Sequence, residues 1–162
     1  MICLFVGRWE KCLESCDTKE VVNLSLGYCG KCKLIYQDDN IVRYVYSGEN
    51  WNDENSISGD IDLLDGVICI YKKCLEEPEI HIKVKRTSSG KKHTYEKRIV
   101  HTPSIGEHIA NGEIVVEKKC KNEFKRTITS ENDCYLADRL LIKIFVAYQR
   151  AGVLPQEEAF IQ

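Results

Sequence analysis

No long apolar run occurs in this chain. Nothing in its 162 residues approaches the roughly 20 consecutive apolar positions that a bilayer-spanning helix requires, so no membrane partner is expected. A secretory leader pattern is also missing. Met1-Ile2-Cys3-Leu4-Phe5-Val6 is apolar, but Arg8, Glu10 and Lys11 interrupt it at once. There is no internal repeat, no low-complexity tract and no flexible linker rich in Gly and Ser. That leaves one domain, or one domain with extensions, in a chain long enough to bury a real core. The expected compartment is the cytosol or nucleus, where thiols stay reduced and cysteines serve metal binding more often than disulfides.

Bases are nearly missing from one region and acids from another. Residues 38–65 carry eight acids (Asp38, Asp39, Glu49, Asp53, Glu54, Asp60, Asp62, Asp65) against one base, Arg43. Residues 79–101 carry seven bases (Lys83, Lys85, Arg86, Lys91, Lys92, Lys97, Arg98) against Glu79 and Glu96. The net charge of −2 hides this separation, which creates a directional surface unless the two runs are simply solvated faces of different strands.

Cysteine is abundant, with nine residues, an odd number. Cys29-Gly30-Lys31-Cys32 reads as a tight turn between two thiols, and Cys69-Ile70-Tyr71-Lys72-Lys73-Cys74 closes a strand-like run. Four thiolates from two such turns make a closed tetrahedral zinc site. Two groupings compete: the local Cys12, Cys16, Cys29 and Cys32, and the longer Cys29, Cys32, Cys69 and Cys74. Spacing favours the local set slightly, because its loops cost less closure entropy. Cys3, Cys120 and Cys134 read as buried small hydrophobes. Cys134 also stands at an expected helix N-terminus, where a thiol pKa falls, so a cysteine hydrolase with a base among His81, His93, His101 and His108 is a further, minor alternative.

The middle of the chain reads as strands. Ile41–Tyr46 and Val67–Tyr71 are β-branched and aromatic. Ile80, Ile82 and Val84 alternate with His81, Lys83 and Lys85, which predicts a half-buried strand with a basic outer face. Thr87–Lys92 is a turn, and Tyr95–Val100 returns as its partner. Ile114–Glu117 and Phe124–Ile128 suggest a further hairpin, and Ser47–Asn55 is the clearest loop. One helix is expected from about Cys134 to Ala151, with Ser130 or Asp133 as N-cap, Gly152 as the C′ stop and Pro155 just beyond. Its apolar stripe of Leu136, Leu140, Leu141, Ile144, Phe145 and Tyr148 marks it as buried or at an interface. A short helix over Arg8–Cys16 is a weaker possibility.

The order of these features resembles the C-terminal RNA-binding domain of RIG-I-like and Dicer-related helicases. The resemblance rests on Cys29-Gly30-Lys31-Cys32-Lys33, a strand-rich insert, Gly66-Val67-Ile68-Cys69 with Cys74, and the following Glu79-Ile80-His81-Ile82-Lys83-Val84-Lys85. It covers about residues 26–128. It implies a mainly β fold of two zinc-linked β-leaves, of β-tent or Mss-four-like type, here followed by a C-terminal helix. It also implies one zinc ion (Zn2+) on the longer set, Cys29, Cys32, Cys69 and Cys74. The domain plan is then an N-terminal extension (1–25), a zinc-bound β domain (26–128) and a C-terminal helix and tail (129–162).

The same resemblance implies binding of RNA ends, double-stranded or carrying a 5′-triphosphate. In that family lysines before the third cysteine grip the terminal phosphates. Here Asp60–Asp65 stands there, so the grip is expected from the hairpin after Cys74. The candidate contacts are His81, Lys83, Lys85, Lys91, Lys92, Lys97 and Arg98, then Lys118, Lys119 and Lys125. Basic side chains there neutralise phosphates and release counterions, and duplex RNA is read by shape and backbone. Tyr44, Tyr46 and Trp51 are the aromatics that could stack on a terminal base. No catalytic centre is expected. The alternative is a zinc-stabilised protein-interaction module that holds a helicase core or other protein through the acidic loop and the apolar helix.

Overall fold

A computed structural model describes residues 26–53, 62–124 and 134–162. Ten-residue strands β1 (Tyr28–Gln37) and β2 (Ile41–Asn50) form an antiparallel pair joined by a turn that Asp38 organises. The Asp38 carboxylate accepts the backbone N–H groups of Asn40 and Ile41, each at 2.7 Å, an Asx-type turn. β3 (Gly66–Tyr71) adds antiparallel to β2, and β6 (Ile114–Lys118) to β3. β7 (Glu157–Ile161) returns to pair with β1, giving the antiparallel order β6-β3-β2-β1-β7. β4 (Glu79–Arg86) and β5 (Lys92–Ile99) form a separate two-stranded sheet. Among the described residues two α-helices accompany the strands: short α1 (Ile105–Ala110) and 17-residue α2 (Tyr135–Ala151). The fold is thus mainly β with a C-terminal helix.

Period-2 alternation sends one side of each central strand into the core. On β2, Val42, Tyr44 and Tyr46 are fully buried, and cross-strand pairing puts Ile70, Ile68 and Cys32 beside them. α2 covers this face with Leu136, Leu140, Leu141, Ile144 and Phe145, all fully buried in the same cluster. Each such side chain contributes about 1.5–3 kcal/mol by leaving water. Gly30 and Gly48 lie opposite each other on β1 and β2. The space they leave is filled by the Phe160 ring and by Leu136, whose Cδ1 would lie 2.8 Å from a Cβ at Gly48. The helix stops at Gly152, in the left-handed conformation (φ 75°).

Several expectations are corrected. Cys29–Cys32 is strand interior, not a turn. Ser47–Asn50 continues β2, so the loop begins only at Trp51. β6 pairs with β3 rather than forming a hairpin, and residues 125–128 lie outside the described residues, as do Arg8–Cys16, Ser130 and Asp133. The segment set apart as helix and tail is integral to the fold: α2 supplies the second layer and β7 an edge strand.

Candidate nucleic-acid interface

β3 ends at Tyr71 and a 3₁₀ turn, Lys72–Cys74, leads toward β4. The β4–β5 ribbon therefore springs from the Tyr71 end of the main sheet. Every residue of β4 is exposed, as is β5 from Lys92 to Lys97. The half-buried strand expected from its alternation is a free-standing ribbon, because no second layer covers it among the described residues. At the tip, Gly90 (φ 80°) closes the turn with nothing within 4 Å of where a Cβ would stand.

The register sorts the ribbon into two unlike faces. His81 pairs with Lys97, Lys83 with Tyr95 and Lys85 with His93. Directly opposed residues share a face, so these six form one basic surface with Tyr95 at its centre. Ile80 pairs with Arg98, Ile82 with Glu96, Val84 with Thr94 and Arg86 with Lys92, and these form the other. Among the described residues no carboxylate lies within ion-pair distance of Lys83, Lys85, Lys91, Lys92 or Lys97. At the root, Glu79 meets His81 at 2.6 Å and His101 at 3.6 Å. The His81 hydrogen bond is the largest influence holding the Glu79 carboxyl below its ordinary range.

Not every expected contact belongs to this surface. Arg98 is half-buried at the root, and its guanidinium occupies the space a side chain at Gly152 would need, 2.7 Å from that Cβ position. Lys118 pairs with Val67, toward the opposite end of β3 from the ribbon's root, and Lys119 follows it. Lys125 lies outside the described residues. Tyr44 and Tyr46 are core residues whose hydroxyls donate to the Pro155 carbonyl and the Glu123 carboxylate, each at 2.8 Å. The indole N–H of Trp51 donates to Glu49 at 3.0 Å. Tyr95, the aromatic that does join the basic face, is placed there by cross-strand register.

The four cysteines of the zinc set are not brought together. Cys29 and Cys32 are three residues apart in one strand and point to opposite faces. Cys29 pairs with Glu49 and Cys69 with Arg43, six residues apart on β2. At ~3.3 Å per residue that is about 20 Å along the sheet, whereas ligands of one zinc lie ~2.3 Å from the metal. These residues do not fit a single ion, and among the described residues no three His, Cys, Asp or Glu side chains form a metal-binding group. The thiols are buried instead. Burial pushes Cys32 up to about 12 and Cys74 up to about 11, and the Cys74 thiol donates to the Tyr71 carbonyl at 2.9 Å. Cys12 and Cys16 lie outside the described residues.

The start of α2 holds a feature that no motif announced. Glu123 accepts the N–H of Leu136 at 2.8 Å and of Ala137 at 3.3 Å, besides the Tyr46 hydroxyl. A half-buried carboxylate from outside the helix thus satisfies its first free donors. Burial is the main cause raising the Glu123 pKa. Cys134 shares this environment: burial, then the Glu123 charge, raise its pKa, against the weaker opposing effect of Lys119. That is the reverse of the activated thiol a hydrolase needs.

No protein-family model, curated protein or solved structure matches this chain. Among the described residues, no helix is long and apolar enough to cross a membrane.

Proposed function

We propose that this chain binds RNA through the basic face of the β4–β5 ribbon. The supporting observation is a contrast in charge pairing. Of the six cations of the main sheet and its 3₁₀ turn, Lys31, Lys33, Arg43 and Lys73 are each engaged by a carboxylate, at 3.0, 3.4, 3.1 and 3.1 Å, while Lys72 and Lys118 have none within ion-pair distance among the described residues. The ribbon lysines Lys83, Lys85, Lys92 and Lys97 are all exposed and have no carboxylate within ion-pair distance among the described residues. Unpaired lysines on a projecting ribbon can follow a phosphate backbone, and the counterions they release drive binding. Tyr95 amid these bases offers a ring on which an unpaired or terminal base can stack, worth about 1–3 kcal/mol. RNA, with ends as the preferred feature, is the ligand that the sequence resemblance implies. α2 is already occupied by the sheet, which weighs against its use as a partner-binding helix.

The test is fluorescence anisotropy with 5′-triphosphate, 5′-hydroxyl and duplex RNA and with duplex DNA, at two salt concentrations. The expected result is RNA affinity that falls steeply with salt, prefers the triphosphate end and drops in a Lys83→Glu/Lys85→Glu/Lys97→Glu variant. Absence of binding at low salt, or a variant that binds as tightly as the parent, overturns it. Equal affinity for DNA would keep the ribbon and discard the RNA assignment.

A further inference from the structure

The second face of the ribbon carries three β-branched side chains in a row. Ile80, Ile82 and Val84 are 50%, 69% and 60% exposed, on successive same-face positions of β4. An isolated two-stranded ribbon is marginal in water and gains independent stability by packing one face. Its root leans on α2 through Arg98, but its distal part has no cover among the described residues. An apolar stripe that leaves the basic face free needs an occupant of its own.

The charges on this face identify one. Moving outward, its cross-strand levels are Ile80 with Arg98, Ile82 with Glu96, Val84 with Thr94, and Arg86 with Lys92. Glu96, the only acid, stands one level inside Val84–Thr94, and the cations Arg86 and Lys92 stand one level outside it. The face is therefore self-complementary about its Val84 level. A two-fold axis lying between two such ribbons and crossing them at that level lays Val84 on Val84. Glu96 of each copy then meets Lys92 of the other. Ile82 of each meets the aliphatic stem of Arg86 of the other, and Ile80 lies beneath the other copy's Thr87–Lys91 turn.

We propose that two copies of the chain dock ribbon to ribbon through the Ile80–Ile82–Val84 face, forming a two-fold dimer. The interface is isologous, as self-complementary patches require. The four strands become two packed layers with the basic faces pointing outward on both sides. Contact is confined to the ribbons, so the interface is small and association depends on concentration in the way small interfaces do.

The test is sedimentation equilibrium of the full chain across a wide concentration range, with circular dichroism to verify the fold. The parent is expected to pass from monomer to dimer as concentration rises. Ile82→Lys, at an exposed position outside the core, should weaken association by at least ~10-fold by setting a like charge opposite Arg86 of the other copy. Glu96→Lys should weaken it by setting like charges opposite, and Glu96→Lys combined with Lys92→Glu should restore it by exchanging the pair. A parent that stays monomeric throughout, or a dimer untouched by Ile82→Lys, overturns the proposal. So does a dimer in which the charge exchange gives no rescue, since the Glu96–Lys92 pairing defines this geometry. RNA binding is not part of the readout, so failure here leaves the proposed function standing, and the converse also holds.

Discussion

The β4–β5 ribbon and the five-stranded sheet use the same local pattern to opposite ends. β2 alternates Val42, Tyr44 and Tyr46 with Arg43 and Val45, and β4 alternates Ile80, Ile82 and Val84 with His81 and Lys83. Both patterns make a strand. On β2 the apolar side is fully buried under α2, and on β4 it is exposed. The cations differ in degree: carboxylates engage four of the six in the sheet and its 3₁₀ turn, while among the described residues the ribbon lysines have none within reach. Alternation therefore specifies a two-sided strand, and whether either side is buried depends on a second layer supplied from elsewhere in the chain. The sheet receives its layer from α2. The ribbon receives none among the described residues, and both its faces stay exposed.

The largest effect expected from this contrast is on stability. Leu140→Ala removes a fully buried side chain and should cost about 2–5 kcal/mol, whereas Ile82→Ala, measured on dilute protein, should stay within ~0.5 kcal/mol. Urea unfolding of both variants checks this. Equal losses would mean that the ribbon is packed in solution and would collapse the comparison.

In RNA binding the ranking reverses. Lys83→Glu/Lys85→Glu/Lys97→Glu should lower affinity by roughly two orders of magnitude at low salt and flatten its salt dependence. Lys31→Glu/Lys33→Glu, at positions already paired with Asp62 and Glu157, should change it far less. Titrations at matched ionic strength decide it. A larger loss from the sheet variant would move the interface off the ribbon.

Glu123 tests how the helix is fastened over the sheet. Glu123→Gln should destabilise by about 1–3 kcal/mol at low pH, because its NH2 group presents donors where a carboxyl oxygen accepts from the helix N–H groups and the Tyr46 hydroxyl. Its pKa is raised on folding, chiefly by burial. The folded state then holds this proton more tightly than the unfolded state. The stability it adds is fully present below the unfolded pKa, near 4.5, and is lost as pH rises through the folded pKa. Chemical unfolding across that window should show the gap between parent and variant narrowing as pH rises. A gap that widens would show the sign, and so the dominance of burial, to be wrong.

Elements held by local physics could be seen in the sequence. α2 shows its 3.6-residue stripe and its glycine stop. β2, β3 and the ribbon show alternation and a turn between. What escaped depends on distant partners. Cys29-Gly30-Lys31-Cys32 has the composition of a metal-binding turn. It becomes strand because Gly30 faces Gly48 and Phe160 fills the gap from the far end of the chain. β7 is a five-residue strand that begins two residues after Pro155, and pairing with β1 is what makes it a strand. The basic residues of the candidate site were legible as a run. Their division into two faces was not, because register decides that Tyr95 joins the lysines and that Arg98 turns toward Gly152.

The smallest expected effect sharpens the charge contrast at its weakest point. Lys33 and Glu157 face each other across β1 and β7 at 3.4 Å, with both side chains 55% exposed. An exposed pair of this kind contributes about 0–1 kcal/mol, because solvent screens the attraction and both side chains lose rotamer freedom. Lys33→Ala should therefore barely move the unfolding midpoint. It also leaves Glu157 as an unpaired negative charge on the edge strand, so RNA affinity should fall slightly if the RNA passes near β7, and stay unchanged if the ribbon alone makes contact. Anisotropy at low salt, where screening is least, distinguishes the two. An unchanged affinity confines the interface to the ribbon. A clear fall would extend it onto the sheet and show that pairing with a carboxylate does not by itself withdraw a lysine from the binding surface.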